Sequence, residues 1–192
     1  MNGEFFTFHL SDLKTNFTHL NLFFMASEGN KKLVDQSVDA NENASGSVVI
    51  VRTQWNAEIV DKLEQGCKSV LSGKGFSDVH TITVPGAVEI TFGIKSYWEK
   101  VKYRDNKPVA FIALGCVIKG GTPHFDYVCK AVTDGVVQLN LILPVPTIFG
   151  VLTLNNHEEA LERTGGQHGH KGEEAALTAI AMISLIKSYK DL

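Results

Sequence analysis

The chain has 192 residues, 44% of them hydrophobic and 20% charged, which is the composition of a globular protein and not of a disordered one. This length suffices for one domain with a full core and is tight for two. The formal net charge of −3 provides no general attraction to nucleic acid, so any anion site has to be local. No stretch reaches the ~18 consecutive apolar residues that a membrane span needs, and we expect neither a nucleic-acid nor a membrane partner.

The cysteines indicate the compartment. Cys67, Cys116 and Cys129 form neither a Cys-x-x-Cys pair nor a zinc-like run. An odd number without a disulfide framework is typical of a reducing environment, in which thiols act as small apolar side chains. We therefore expect a cytoplasmic protein.

The first 46 residues differ in character from the rest. Leu20–Met25 is apolar but short, and Lys14 is the only positive side chain before it, so the pattern does not favour a secretory signal. Met25 is a second candidate for the translation start, beside Met1. Residues 26–46 are polar, with too few apolar groups to offset the entropy lost on ordering. We predict a flexible N-terminal arm over 1–46 and a single domain over 47–192.

From Ser47 onward, strand patterns and helix patterns alternate. Val48–Val51 is a β-branched run of the kind that is buried on both faces of a sheet, whereas the apolar residues of Ala57–Leu71 have helical spacing. The predicted strands are Val48–Val51, Val79–Val84, Val109–Val117 and Pro146–Leu152. The predicted helices are Ala57–Leu71, Ala87–Trp98, Pro123–Leu139, Asn156–Arg163 and Glu173–Tyr189. This order predicts an α/β fold with a four-stranded parallel sheet covered by helices on both faces.

In such sheets, ligands bind beyond the carboxyl ends of the strands, here segments 52–56, 85–89, 118–124 and 149–155. The third segment contains Lys119-Gly-Gly-Thr-Pro-His124. Thr122 is a good N-cap, proline is tolerated in a first helical turn, and a helix N-terminus favours phosphate. His124 would lie beside that anion and can transfer protons near neutral pH. The alternative is an ordinary strand–helix turn with a surface histidine.

The other segments carry weaker signals. Trp55 offers a flat face on which a heterocycle can stack, or it simply closes the core. Glu89 either accepts from ligand hydroxyls or is a helix-start glutamate that interacts with the macrodipole. Arg163 either holds phosphate through its planar fork or is a cation at a helix C-terminus. His168 and His170 are a weak metal signal without a nearby cysteine or acid, and we expect no metal site.

Taken together, five stretches resemble the lumazine synthase family over about Val48 to Ile186. They are Thr53-Gln-Trp-Asn56, Pro85-Gly-Ala-Val-Glu89, Ala113 to Val128, Pro146 to Leu152, and Glu162-Arg163 with Gly169-His-Lys-Gly172. The third is the most specific, and all five agree in order and spacing. The resemblance implies a flavodoxin-like three-layer α/β/α sandwich.

The resemblance also implies an activity. The family condenses 5-amino-6-(D-ribitylamino)uracil with 3,4-dihydroxy-2-butanone 4-phosphate to give 6,7-dimethyl-8-ribityllumazine, phosphate and water, the penultimate step of riboflavin biosynthesis. It uses no metal or organic cofactor. Holding the two substrates together removes much of the entropic barrier, and the family is thought to rely chiefly on that effect.

By the same resemblance, His124 is the proton donor and acceptor, and Trp55 stacks on the pyrimidine. Phe149 covers the ring from the adjacent subunit, and Lys171 supports the ribityl or phosphate end. The polar edge and the ribityl chain of the pyrimidine are implied to contact Ala87, Val88, Glu89, Cys116, Val117 and Ile118. Phosphate is implied to contact Gly121, Thr122 and Arg163.

Two positions depart from the family pattern, and both concern an arginine. Gln54 stands where the family often has arginine, so any role of that arginine is in doubt here. Lys119 also replaces a frequent arginine, which keeps the charge but not the bidentate fork.

The resemblance further implies a homo-oligomer. The family forms pentamers with active sites between subunits, and some members assemble twelve pentamers into an icosahedral capsid of sixty subunits. The segment Thr164–His170 is short and lacks the insertion that blocks capsid formation in some relatives, which favours the capsid. Part of 33–46 is expected to add a strand to a neighbour's sheet. A functional link to riboflavin synthase is also implied.

Two other classes of protein remain compatible with this pattern. One is a flavin or lumazine carrier of the same topology without catalysis, because a fold alone does not define an activity. The other is a structural shell in which catalysis is secondary. A pure carrier, however, has no need of His124 beside a phosphate cradle that includes Arg163.

Overall fold

The computed structural model describes residues 46–189. The predicted arm lies outside these residues except for Gly46, as do residues 190–192. The strands are β1 (Ser47–Thr53), β2 (Val79–Val84), β3 (Pro108–Ile118), β4 (Thr147–Leu154), β5 (Thr164–Gly166) and β6 (Gly169–His170). The helices are α1 (Ala57–Gly73), α2 (Glu89–Val101), α3 (His124–Ile142), α4 (His157–Glu162) and α5 (Lys171–Ser188).

The four long strands form one parallel sheet in the order β2-β1-β3-β4, which confirms the predicted α/β architecture. Successive side chains of a strand point to opposite faces, so each central strand contributes to two cores. Val48 and Ile50 pack with α1 and α5 on one face. Val49 and Val51 pack with α2 and α3 on the other. All four side chains are completely buried, as the β-branched run predicts.

Four of the five predicted helix starts are wrong by one or two residues, and two of them lie near the predicted site. α2 begins at Glu89 and not at Ala87, because Ala87 and Val88 form a turn in which the Ile90 N–H donates to the Ala87 carbonyl at 3.3 Å. α3 begins at His124, with Pro123 at the N-cap, so Thr122 is not the cap that we predicted. The Asp126 N–H donates to the Pro123 carbonyl at 3.0 Å, a tight first turn that leaves Thr122 outside the helix.

The segment Thr164–His170 forms a small antiparallel β5–β6 hairpin that the sequence did not predict. The His170 ring covers Gly66, where an added Cβ would lie 2.2 Å from the ring, and its Nδ1 accepts from the Glu173 N–H at 3.4 Å. His168 Nε2 lies 3.4 Å from a Glu162 carboxylate oxygen. Both histidines therefore have structural partners in the fold.

No helix within residues 46–189 is long and apolar enough to cross a membrane.

Candidate active site

A crevice of about 410 Å³ opens at the carboxyl edge of the sheet, between the segments that follow β1, β2 and β3. Nine of the predicted site residues line it: Trp55, Ala87, Val88, Glu89, Cys116, Val117, Ile118, Thr122 and His124. These residues come from separate parts of the chain, and only the parallel sheet brings them together. This volume falls in the range of small-molecule sites.

The Trp55 side chain does not close the core, because the residue is 68% exposed. Its ring lies over the turn after β2, where an added Cβ on Gly86 would be 3.6 Å from the nearest ring atom. A large indole held at a crevice rim, with most of its surface in solvent, can bind a flat heterocycle. The alternative that Trp55 is a core residue is therefore wrong.

The far end of β3 supplies polar backbone groups to the crevice. β1 pairs with β3 only as far as Arg52 opposite Leu114, whereas β4 continues to pair with β3 up to Ile118. Within residues 46–189, the backbone of 115–118 therefore has no strand partner on the β1 side. The Lys119 N–H donates to the Leu154 carbonyl on the β4 side at 2.8 Å, so the alternate residues Cys116 and Ile118 direct their backbone groups to the crevice.

Cys116 lines the crevice, but its side chain belongs to the core that the sheet shares with α1 and α5. Burial raises the pKa of the Cys116 thiol to about 11, so the thiol stays protonated near neutral pH. A protonated thiol is a poor nucleophile, so Cys116 acts here as a small core side chain.

The opposite wall is the start of α3, which has 19 residues. Its N-cap residue, Pro123, makes no side-chain hydrogen bond to the first turn, so this helix N-terminus is open to an anion. His124 is exposed in the first turn of α3. No atom of the described part of the chain lies within 4 Å of a Cβ built on Gly120 or Gly121, which leaves room for a ligand beside that backbone.

Glu89 is a helix-start glutamate, as one of its two alternative interpretations predicts. It is the first residue of α2, and one carboxylate oxygen accepts from the Gly86 N–H at 3.0 Å. That bond fixes the carboxylate at the crevice lip, while a carboxylate still has lone pairs for ligand hydroxyls.

Phe149, Arg163 and Lys171 lie outside the crevice. The strand-end rule, which put segment 149–155 at the same edge as Trp55 and Glu89, is therefore wrong for Phe149 within one chain, and its role from an adjacent subunit stays a prediction. β4 runs two residues beyond the predicted end, so Phe149, which is opposite Ala113, lies in the first half of the strand. Phe149 and Lys171 line a different cavity of about 540 Å³ along β4. The Lys171 N–H donates to the Arg163 carbonyl at 2.9 Å, so these three residues form a second group, which we call the β4 group.

Both cations of the β4 group have partners in the isolated chain. Arg163 donates from Nη1 to the Glu159 carbonyl at 2.9 Å, which is the helix C-terminal contact that we considered as the alternative to phosphate binding. The Lys171 ammonium donates to both oxygens of Glu174, at 2.9 and 2.7 Å. Gly121 adjoins the crevice without lining it.

Sequence reasoning did not select six other residues that line the crevice: Thr53, Asn56, Gly86, Gly120, Phe125 and Val128. Most carry no local chemical signal. Asn56 had one, since asparagine before a helix is either an N-cap or a candidate for left-handed backbone.

The fold and the crevice define a flavodoxin-like α/β protein with its ligand site where the strand order reverses, at the carboxyl ends of β1 and β3. The family model for 6,7-dimethyl-8-ribityllumazine synthase matches residues 45–187. The chain belongs to that family.

Curated relatives agree with this assignment. The 6,7-dimethyl-8-ribityllumazine synthase of Parabacteroides distasonis is 44% identical over 148 residues, which are 76% of this chain and 88% of the relative. The protein of the same name from Bacteroides fragilis is 45% identical over 72% of this chain and 95% of its own length. The one from Cytophaga hutchinsonii is 41% identical over 82% of this chain and 98% of its own length.

Proposed function

We propose that the crevice binds the pyrimidine substrate and that the residues around it carry out the condensation that names the family. As a family member, the chain is a transferase of riboflavin biosynthesis. It condenses 5-amino-6-(D-ribitylamino)uracil with 3,4-dihydroxy-2-butanone 4-phosphate to 6,7-dimethyl-8-ribityllumazine, with release of phosphate and water. The observation that carries the site assignment is the convergence of nine predicted residues on one crevice.

The pyrimidine stacks on Trp55, and its polar edge meets the backbone of Cys116 and Ile118. The end of β3 beyond its pairing with β1 supports this placement, because a uracil-like edge needs donors and acceptors in register and this backbone offers both. The Cys116 carbonyl accepts from the Asn56 amide as well, and a carbonyl has two lone pairs. Glu89 and the turn at Ala87–Val88 receive the ribityl hydroxyls. Charge–hydroxyl bonds of this kind are stronger than neutral ones, and they orient the substrate.

The phosphate of the second substrate binds at the N-terminus of α3, next to Gly121 and Thr122. The open first turn supports this role, since its N–H groups favour an anion and the two glycines admit it closely. His124 then lies beside both substrates. It transfers protons as the amine attacks the ketone to give an imine, as phosphate leaves, and as the second amine closes the ring.

The β4 group completes the site from a neighbouring subunit. Phe149 covers the ring, and we now assign Arg163 and Lys171 to the same neighbour, because they lie with Phe149 and apart from the crevice. Within one chain, neither Arg163 nor Lys171 lines the crevice that contains the proposed phosphate site. The proposal therefore includes a homo-oligomer, either a pentamer or a capsid of sixty subunits. It also places the enzyme in the cytoplasm and links it functionally to riboflavin synthase. Native mass spectrometry distinguishes the two assemblies.

The decisive experiment mixes both substrates with the purified full chain and records the absorbance and green fluorescence of the lumazine. We expect product formation that depends on both substrates. Tight flavin binding without product would contradict the proposal and support a carrier. A mixture of Trp55→Ala and Arg163→Ala chains tests the shared site, since mixed assemblies should regain part of the activity that each variant alone has lost.

A further inference from the structure

Asn56 has an unusual backbone conformation for its position. Its φ of 56° and ψ of 42° are left-handed, and among residues 46–189 it is the only non-glycine residue with positive φ. It is also the N-cap of α1, where an asparagine side chain normally accepts a hydrogen bond from the first turn. Here the side chain makes no such bond. The chain thus forgoes a common stabilising contact and adopts a disfavoured backbone at one residue of the crevice.

The side chain of Asn56 is used elsewhere. Its amide donates from Nδ2 to the Cys116 carbonyl at 2.8 Å, across 60 residues of sequence. β1 has already ended beside β3 at that point, so this buried carbonyl has no strand donor on that side. The amide therefore extends the β1–β3 ladder by one hydrogen bond beyond the last backbone pair.

This bond acts next to Trp55. The Trp55 N–H donates to the Pro85 carbonyl at 3.3 Å, and the Thr53 hydroxyl donates to the Trp55 carbonyl at 3.2 Å. Those contacts hold the backbone of Trp55 to the ends of β1 and β2. Among the hydrogen bonds that residues 53–56 make within the described part of the chain, the one from the Asn56 amide joins this turn to the end of β3.

We propose that Asn56 is a positioning residue for the pyrimidine half of the site, an inference that rests on the proposed function. The left-handed turn directs its amide to the Cys116 carbonyl, and this bond sets the spacing between the Trp55 indole and the backbone of 116–118. The pyrimidine must contact both at once. Loss of the bond widens the slot and weakens pyrimidine binding while the phosphate site at α3 is left intact.

The test uses three variants of the full chain. Asn56→Gly keeps the left-handed backbone and removes only the amide. Asn56→Asp keeps the shape but places a carboxylate against the Cys116 carbonyl, and protonation restores a donor. Asn156→Gly is the matched control, because Asn156 is an N-cap that bonds conventionally to the Glu159 N–H at 2.9 Å and does not line the crevice.

The readouts are steady-state kinetics, the thermal midpoint, and binding of 6,7-dimethyl-8-ribityllumazine by tryptophan quenching. A Trp98→Phe background leaves Trp55 as the only tryptophan, since the chain has two. For Asn56→Gly we expect about a tenfold rise in the pyrimidine KM and in the lumazine Kd, with weaker quenching. The butanone phosphate KM and kcat should stay within about threefold, and the midpoint should fall no more than in Asn156→Gly.

Each outcome decides the matter. Lumazine affinity and quenching in Asn56→Gly within twofold of wild type, or equal losses for both substrates, would overturn the proposal. If Asn56→Gly does not fold, Asn56→Asp provides the test. The proposal requires that the lumazine affinity of Asn56→Asp, divided by that of wild type, improves from pH 7.5 to pH 5. A ratio of affinities that does not change with pH overturns the proposal. A wild-type enzyme that makes no lumazine would instead overturn the proposed function.

Discussion

Replacing Trp55 by alanine should have a small effect on folding stability and a large effect on substrate binding. A fully buried aromatic side chain covers roughly 150–250 Å², and Trp55 is 68% exposed, so about a third of that area, ~50–80 Å², is lost from the folded chain. At ~25 cal/mol per Å² the cost in folding free energy is about 1–2 kcal/mol as an upper bound. In a chain of this size the thermal midpoint then falls by less than about 8 °C.

Binding should change far more. Stacking of a base on an aromatic side chain contributes about 1–3 kcal/mol, so the pyrimidine KM of Trp55→Ala should rise roughly 5-fold to 150-fold. Steady-state kinetics with each substrate varied in turn, together with a thermal melt, measure both effects. Tyr103→Ala removes a ring that is 90% exposed at the other end of the sheet and serves as the control. A Trp55→Ala enzyme with an unchanged pyrimidine KM, or one that no longer folds, would refute this reasoning.

Four further outcomes test the fold and the site. Gly172→Ala should lower the thermal midpoint, because its Cβ would lie 2.0 Å from a backbone carbonyl oxygen of α1, whereas Gly73→Ala, with nothing within 4 Å, should not. Gly121→Ala should melt like wild type yet raise the butanone phosphate KM, and an unchanged KM would remove this glycine from the site. His124→Ala should slow turnover by about 10²-fold without abolishing it, as expected where much of the rate comes from holding both substrates together; complete loss with assembly intact would contradict that. Burial raises the pKa of the Cys67 thiol to about 12, so the folded state binds this proton more tightly than the unfolded state does. The contribution of this proton to the free energy of unfolding is full below the unfolded pKa of ~8.5 and is lost as the pH rises towards 12. Urea unfolding at pH 8 and pH 10 should therefore show a smaller decrease in the free energy of unfolding for Cys67→Ala than for wild type.

Much of the architecture follows from local pattern. Alternation of β-branched runs with helical spacing predicted all four strands of the parallel sheet and all five helices, because each pattern matches the one burial geometry that hides its apolar side chains. Boundaries were less accurate where turns compete with helices. At Ala87 and at Thr122 the residue types favour a helix start, yet the hydrogen bonds formed by Ile90 and Asp126 close tight turns instead.

The candidate site also has residues that the sequence predicted and residues that only the tertiary structure located. Trp55, Glu89 and His124 were predicted from the rule that ligands bind beyond the strand ends, since that rule depends only on strand direction. Strand length and register depend on the tertiary structure. Because β4 is longer than predicted, Phe149 lies in the β4 group with Arg163 and Lys171 and not at the crevice. The use of the Asn56 amide at Cys116 was likewise invisible in the sequence, because a bond across 60 residues depends on where β1 stops beside β3.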